Sequence, residues 1–141
     1  MIAYMSIDSK LQRLKEYVGY LKGYQKYPLE ELLADHTLQG AVFHYLQLSI
    51  ESMLDIGELI ISEQGFSKPE ESRAVFKILA QHRVIPKKFA EKIAPIAGLR
   101  NILVHEYSDV DIKKVYGHLK NDLKDFDSYA KHIAKFIRKR K

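Results

Sequence analysis

The stretch TLQGAVFHYLQLSIESMLDIGELIISEQG, residues 37–65, decides the fold class. Leu38, Val42, Tyr45, Leu46, Ser49, Met53, Ile56 and Ile60 recur in steps of three and four, the spacing that keeps side chains on one face of an α-helix. Thr37 reads as the N-cap and Gly65 as the stop. A helix of about 26 residues runs roughly 39 Å, the full length of a small domain.

Working outward, Ile7, Leu11, Leu14, Val18 and Leu21 step in the same way and predict a first amphipathic helix, interrupted at Tyr27-Pro28. A short segment, Leu29 to Ala34, leads into the long helix. On the other side, Ser67-Lys68-Pro69-Glu70 has the capping-box pattern, so a third helix is expected to start near Pro69 with Val75, Phe76 and Leu79 inward. Val84-Ile85-Pro86 ends it. Phe89, Ile93, Ile96 and Leu103 then mark a fourth helical region, in which Pro95 and Gly98 predict a kink. Ser108 and Asp111 read as a cap for a last helix that keeps Ile112, Val115, Leu119, Leu123, Phe126, Ala130, Ile133 and Ile137 in register. No strand alternation competes, so the expectation is an all-α, up-and-down bundle of four to five helices.

The chain's 141 residues suit one domain, read as 1–137, with 138–141 as a basic tail. At 46% hydrophobic and 29% charged residues, with 7 Gly and 4 Pro, the composition excludes a disordered or collagen-like chain. The absence of cysteine excludes a disulfide framework, a thiolate zinc site and a cysteine nucleophile, and suits a reducing cytoplasm. No apolar run reaches a bilayer's width and MIAYMSIDSK lacks the pattern of an export signal, so a soluble, cytoplasmic protein is expected. The formal charge of +5 is uneven: residues 131–141 hold six cations and no acid, leaving the remainder close to neutral. That basic end could touch nucleic acid, or simply be a solvated helix end whose cations suit the helix dipole.

Few residues offer chemistry. The six histidines never fall three or four apart and no Gly-rich phosphate loop follows a strand, so metal and nucleotide-fold readings lose their usual support. His36, His44, His82, His118 and His132 read as structural or surface residues without a local acid partner. The exception is GLRNILVHEYSDVD, residues 98–111. The buried stripe of the fourth helical region continues by helical steps onto Arg100, and a guanidinium on an apolar face must be paired, snorkel outward, or face a second subunit. His105 follows five residues later, about 140° away on a regular helix, which is poor geometry for gripping one small group together. Either the helix unwinds near His105 or a site draws on a second copy of the chain. Along the long helix, His44, Gln47, Glu51, Asp55 and Glu58 form a polar stripe; it reads as a solvated face, or as a cleft wall from which Glu51 or Asp55 orients Arg100 or His105.

Arg100-Asn101-Ile102-Leu103-Val104-His105-Glu106-Tyr107 resembles the R-x4-H-x-Y motif of the HEPN superfamily, in particular its HepT-like toxins. The order of the long helix, the proline-containing fourth region and the capped last helix is similar too, over about residues 7 to 137. The resemblance implies an all-helical homodimer acting as a metal-independent endoribonuclease with no cofactor, neutralised by a minimal nucleotidyltransferase antitoxin. It implies that Arg100 and His105 are the catalytic pair, that Asn101 supports them, and that Tyr107 is the tyrosine the antitoxin modifies with AMP. In one respect the chain departs: the start of the long helix, often arginine-rich in relatives, reads QGAVFHY. The residue types suit the chemistry independently of the resemblance. Metal-free RNA cleavage needs a base, an acid and a cation; histidine can serve as either proton carrier near neutral pH, and arginine is a permanent forked cation. A two-fold interface would supply the second histidine. The alternatives are a non-catalytic helical module binding a nucleotidyltransferase or a nucleotide, and an adaptor bundle unconnected with RNA.

Overall fold

The computed structural model describes residues 2–105 and 110–140, with side chains from Ser6 to Val104 and from Val110 to Arg140. Its described residues form α1 (Ile2–Tyr24), α2 (Leu29–Ala34), α3 (His36–Gln64), α4 (Ser72–Gln81), α5 (Lys87–His105), α6 (Ile112–Asn121) and α7 (Leu123–Arg140), with no strand. The bundle is all-α as expected, with seven helices in place of four to five. The short α2 is a helix in its own right, and the expected last helix breaks at Asp122 into α6 and α7. Among the described residues no helix is long and apolar enough to cross a membrane.

α3 is the axis of the core. Val42, Leu46, Ile50, Met53 and Ile56 are fully buried along it, with α1 on one flank, α4 and α5 on the other, and α7 closing over α1. Asp35, not Thr37, caps α3: its carboxylate accepts from the Leu38 N–H at 3.1 Å, which starts the helix two residues earlier. At the other end Gly65 takes the left-handed conformation (φ 71°), and the Phe66 N–H donates to Ile61 O at 2.9 Å.

The Ser67–Glu70 pattern does not open α4, which starts at Ser72 after an extended Glu71 with no side-chain cap. The intervening chain instead carries Phe66 to His82, and their rings stack at 3.6 Å. Beyond α4, Arg83 holds a left-handed φ of 61° while the Val84 N–H returns to Leu79 O at 2.9 Å. Glycine usually fills this position, and an L side chain there costs about 1 kcal/mol.

Pro95 lies on the exposed side of α5, which remains helical from end to end despite the missing N–H. Asp111 caps α6 by accepting from the Lys113 and Lys114 N–H groups, whereas Ser108 falls outside the described residues. At the α6–α7 break the His118 ring nitrogen and the Asp122 carboxylate meet at 2.7 Å. This corrects the expectation that His118 lacks a local acid: four residues of helix bring the two together. The basic run expected as a separate tail is the last turn of α7, helical to Arg140, with Arg140 over the Phe136 ring.

Three helices, α3, α4 and α7, meet closely at Gly57. A methyl group there would lie 2.5 Å from Val75 Cγ1, 3.1 Å from the Tyr129 hydroxyl and 3.2 Å from Leu79 Cδ1. The Tyr129 hydroxyl, wholly buried, donates to Met53 O at 2.8 Å, and burial together with the nearby Glu58 charge pushes its phenol well above the usual range.

Candidate active site

α5 carries Arg100 toward α3. The buried stripe of Ile93, Ile96 and Leu103 faces the core, and Arg100 lies between the last two of these, one turn from each. Its Nε stands 3.6 Å from Glu51 Oε1 on α3. That separation makes an ion pair but is too long for a hydrogen bond, and Nε is a buried donor without a hydrogen-bond partner among the described residues. Gln47, one turn before Glu51, donates from Nε2 to the same Oε1 at 3.1 Å and fixes the carboxylate. Asn101 is exposed and turns its Oδ1 toward Arg100 Nη1, a long contact of 3.4 Å. With the side chains 32% and 29% exposed, solvent screening limits the Arg100–Glu51 pair to about 1 kcal/mol of stability. Its larger effect is to hold a forked cation at the mouth between α3 and α5.

Of the two carboxylates considered for this role, Glu51 reaches Arg100 and Asp55 does not. Asp55, one turn on, faces α1 and pairs with Lys10 at 3.9 Å. His44 packs edge-on against the Tyr45 ring. Gln47, which the sequence placed on the stripe without a role, is the residue that steadies Glu51.

His105 is the last residue of α5, and the helix runs without interruption from Arg100 to it. Of the two alternatives, unwinding between these residues therefore does not occur, and their backbone positions stay about 140° apart. The His105 side chain lies outside the described residues, as does Tyr107, so the expectations for the imidazole and for the modified phenol fall there too. Ile102 and Val104, on the last turn of α5, are 40% and 36% exposed, the kind of apolar surface that a second chain would cover.

The family model described as ribonuclease HepT-like matches residues 7–133. Among curated proteins the chain is similar to the tRNA nuclease HepT of Aphanizomenon flos-aquae, with 28% identity over 93% of this chain and 89% of that protein. It is also similar to the mRNA nuclease HepT of Shewanella oneidensis, 34% identical over 67% of this chain and 71% of the relative. Among solved structures, the tri-AMPylated HEPN toxin of Shewanella oneidensis in complex with its MNT antitoxin superposes with a TM-score of 0.84 at 28% identity, covering 92% of this chain and 96% of that one.

Proposed function

Because this chain belongs to the ribonuclease HepT-like family, we propose that it is an endoribonuclease toxin that cleaves RNA without a metal ion, through Arg100 and His105 at a cleft between two copies of the chain. The observation that carries the reading is Arg100 itself: a permanent cation on a core-facing stripe, steadied by Glu51 and Gln47, with one buried donor left unsatisfied.

In the reaction, a neutral His105 removes the proton from the 2′-hydroxyl, and that oxygen attacks the adjacent phosphorus. The bond from phosphorus to the 5′-oxygen of the next nucleotide breaks, and the departing oxygen takes a proton from the partner's His105. The products are a 2′,3′-cyclic phosphate and a free 5′-hydroxyl. The Arg100 fork binds two non-bridging oxygens and offsets the charge that builds on the phosphorane. The helical course from Arg100 to His105 supports a composite site, since one α5 presents its two groups in diverging directions.

The same reading assigns neutralisation to a nucleotidyltransferase antitoxin. The Tyr107 phenol attacks the α-phosphate of ATP, pyrophosphate leaves, and the attached AMP brings a phosphate and its bulk to the neighbourhood of Arg100.

The deciding experiment incubates purified chain with single-stranded RNA, with and without EDTA. Cleavage that survives EDTA, ends in cyclic phosphate and drops on the order of 10² to 10⁴ in His105→Ala is expected. Parental-rate cleavage by His105→Ala would remove His105 from the catalytic pair, and no cleavage by the parent would instead support a helical module that only binds its partner.

A further inference from the structure

A second surface of α5 faces away from Arg100. Arg73 and Lys77, one turn apart on α4, and Lys87 at the start of α5 line a groove of about 540 Å³ floored by Ala80, Ala90 and Ala94. Arg73 reaches across to α5, its Nη2 lying 3.3 Å from where a side chain at Gly98 would begin. Around the α4–α5 turn a second groove, of about 440 Å³, shares Lys87 and Ala80 with the first and adds Arg83, Lys135 and Lys139. The basic turn of α7, remote in sequence, thus joins the α4–α5 cations in one belt, and among the described residues Glu91 is the single carboxylate lining either groove. Among the described residues none of these six cations makes an ion pair.

The belt points somewhere specific. On a wheel of 100° per residue, Ala94, Gly98 and the backbone position of His105 each fall within about 20° of Lys87, whereas Arg100 lies about 140° away from it. From Lys87 to His105 the axis runs roughly 27 Å. Arg83 adds a further indication: a cation occupies a left-handed position that glycine would fill without strain.

We propose that this belt is a binding track for the phosphate backbone of single-stranded RNA, running from the basic end of α7 across the α4–α5 turn and along α5 toward His105. The inference rests on the endoribonuclease reading and deepens it by naming where substrate outside the cleavage site lies. Spaced, unpaired cations over an alanine floor fit a chain of phosphates, and among the described residues no aromatic ring lines the α4–α5 groove for bases to stack on, so binding there tolerates any sequence.

The test uses full-length chain carrying His105→Ala, so that RNA is held and not cut, and a labelled single-stranded oligonucleotide of mixed sequence titrated over a range of salt. Removing three cations (Arg73→Gln/Lys77→Gln/Lys87→Gln) is expected to weaken binding about tenfold or more and to reduce the salt slope by about 2, since each phosphate contact to a single strand contributes about 0.7. Neutralising Lys15, Lys26 and Lys124, exposed on other faces, is expected to change the slope far less. Arg83→Gly gives a readout that misfolding cannot mimic, because relief of the left-handed strain raises Tm while RNA affinity falls. An unchanged slope in the groove variant, an equal loss in the control, or loss of antitoxin capture with RNA binding intact would each overturn the track. A parent chain that binds RNA through the groove but never cleaves it would overturn the catalytic reading and leave the track standing.

Discussion

Gly57→Ala is expected to destabilise the bundle even though alanine is the better helix former. In a helix interior the replacement gains about 0.9 kcal/mol of propensity. Against that, the new methyl would meet Val75 Cγ1 at 2.5 Å, where carbon atoms rest at about 3.5 to 4.0 Å. Val75 and Leu79 are fully buried and held on α4, so the separation opens only if α3 and α4 move apart by about an ångström. Overpacking of this kind costs about 1 to 3 kcal/mol, and crowding the Tyr129 hydroxyl weakens its hydrogen bond to Met53 by up to about 1 more. The net loss is then centred on about 1.5 kcal/mol with an upper limit of about 3, a fall in Tm of roughly 5 °C and at most about 10 °C for a chain of this size. Urea titrations and thermal melts followed by circular dichroism measure it. Val75→Ala alone should cost about 2 kcal/mol through lost packing, yet combined with Gly57→Ala it should cost distinctly less than the sum, because the offending carbon is gone. A Gly57→Ala protein as stable as its parent, or strict additivity in the double variant, would refute the close-approach argument.

Arg100→Lys should lose most RNA cleavage, at least about tenfold in kcat/KM, since one ammonium cannot reproduce the guanidinium fork; near-parental kinetics would reduce Arg100 to a generic charge. Mixing Arg100→Ala chains with His105→Ala chains should restore measurable cleavage if two copies build one centre, and two inactive proteins that stay inactive after co-refolding would argue for separate sites. Tyr107→Phe should retain RNase activity and escape neutralisation by the antitoxin with ATP, while the parent gains AMP mass on residue 107; an adduct on another residue under mass spectrometry would contradict this. His132, lowered in pKa first by burial and then by Lys135, should contribute stability that is present above the ordinary histidine pKa of about 6.5 and lost as pH falls through its lower folded value. His132→Gln should therefore flatten the decline of Tm below neutrality, and an unchanged slope would show that the ring carries no such linkage.

The long and first helices were legible because buried positions repeat without interruption through Leu38–Ile60 and Ile7–Leu21. The break at Asp122 was not, since Leu119 and Leu123 keep a four-residue step across it and the apolar register passes through the corner unaltered. Ser67 and Glu70 matched a capping pattern, but local pattern lost to the stacking of Phe66 on His82, a contact between segments. At the site, the sequence showed that Arg100 on an apolar stripe had to be paired, snorkel outward or face a second subunit. Which carboxylate answered depended on the register of α3 against α5, which one turn of helix, the distance from Glu51 to Asp55, decides. The cation belt was hidden for the same reason: Arg73, Lys87 and Lys139 become neighbours only when α4, α5 and α7 pack.

Because α5 runs unbroken to His105, no small hinge within one chain brings that residue round to Arg100. In a site completed by a second chain, the number of working centres follows the number of paired chains. Below the dissociation constant of the pair, that number falls with the square of the chain concentration, so halving the protein quarters the activity. Such a nuclease is quiet when scarce and abruptly harmful when abundant. A modest change in synthesis or turnover then sets its effect on the cell as strongly as any change at the reacting phosphate.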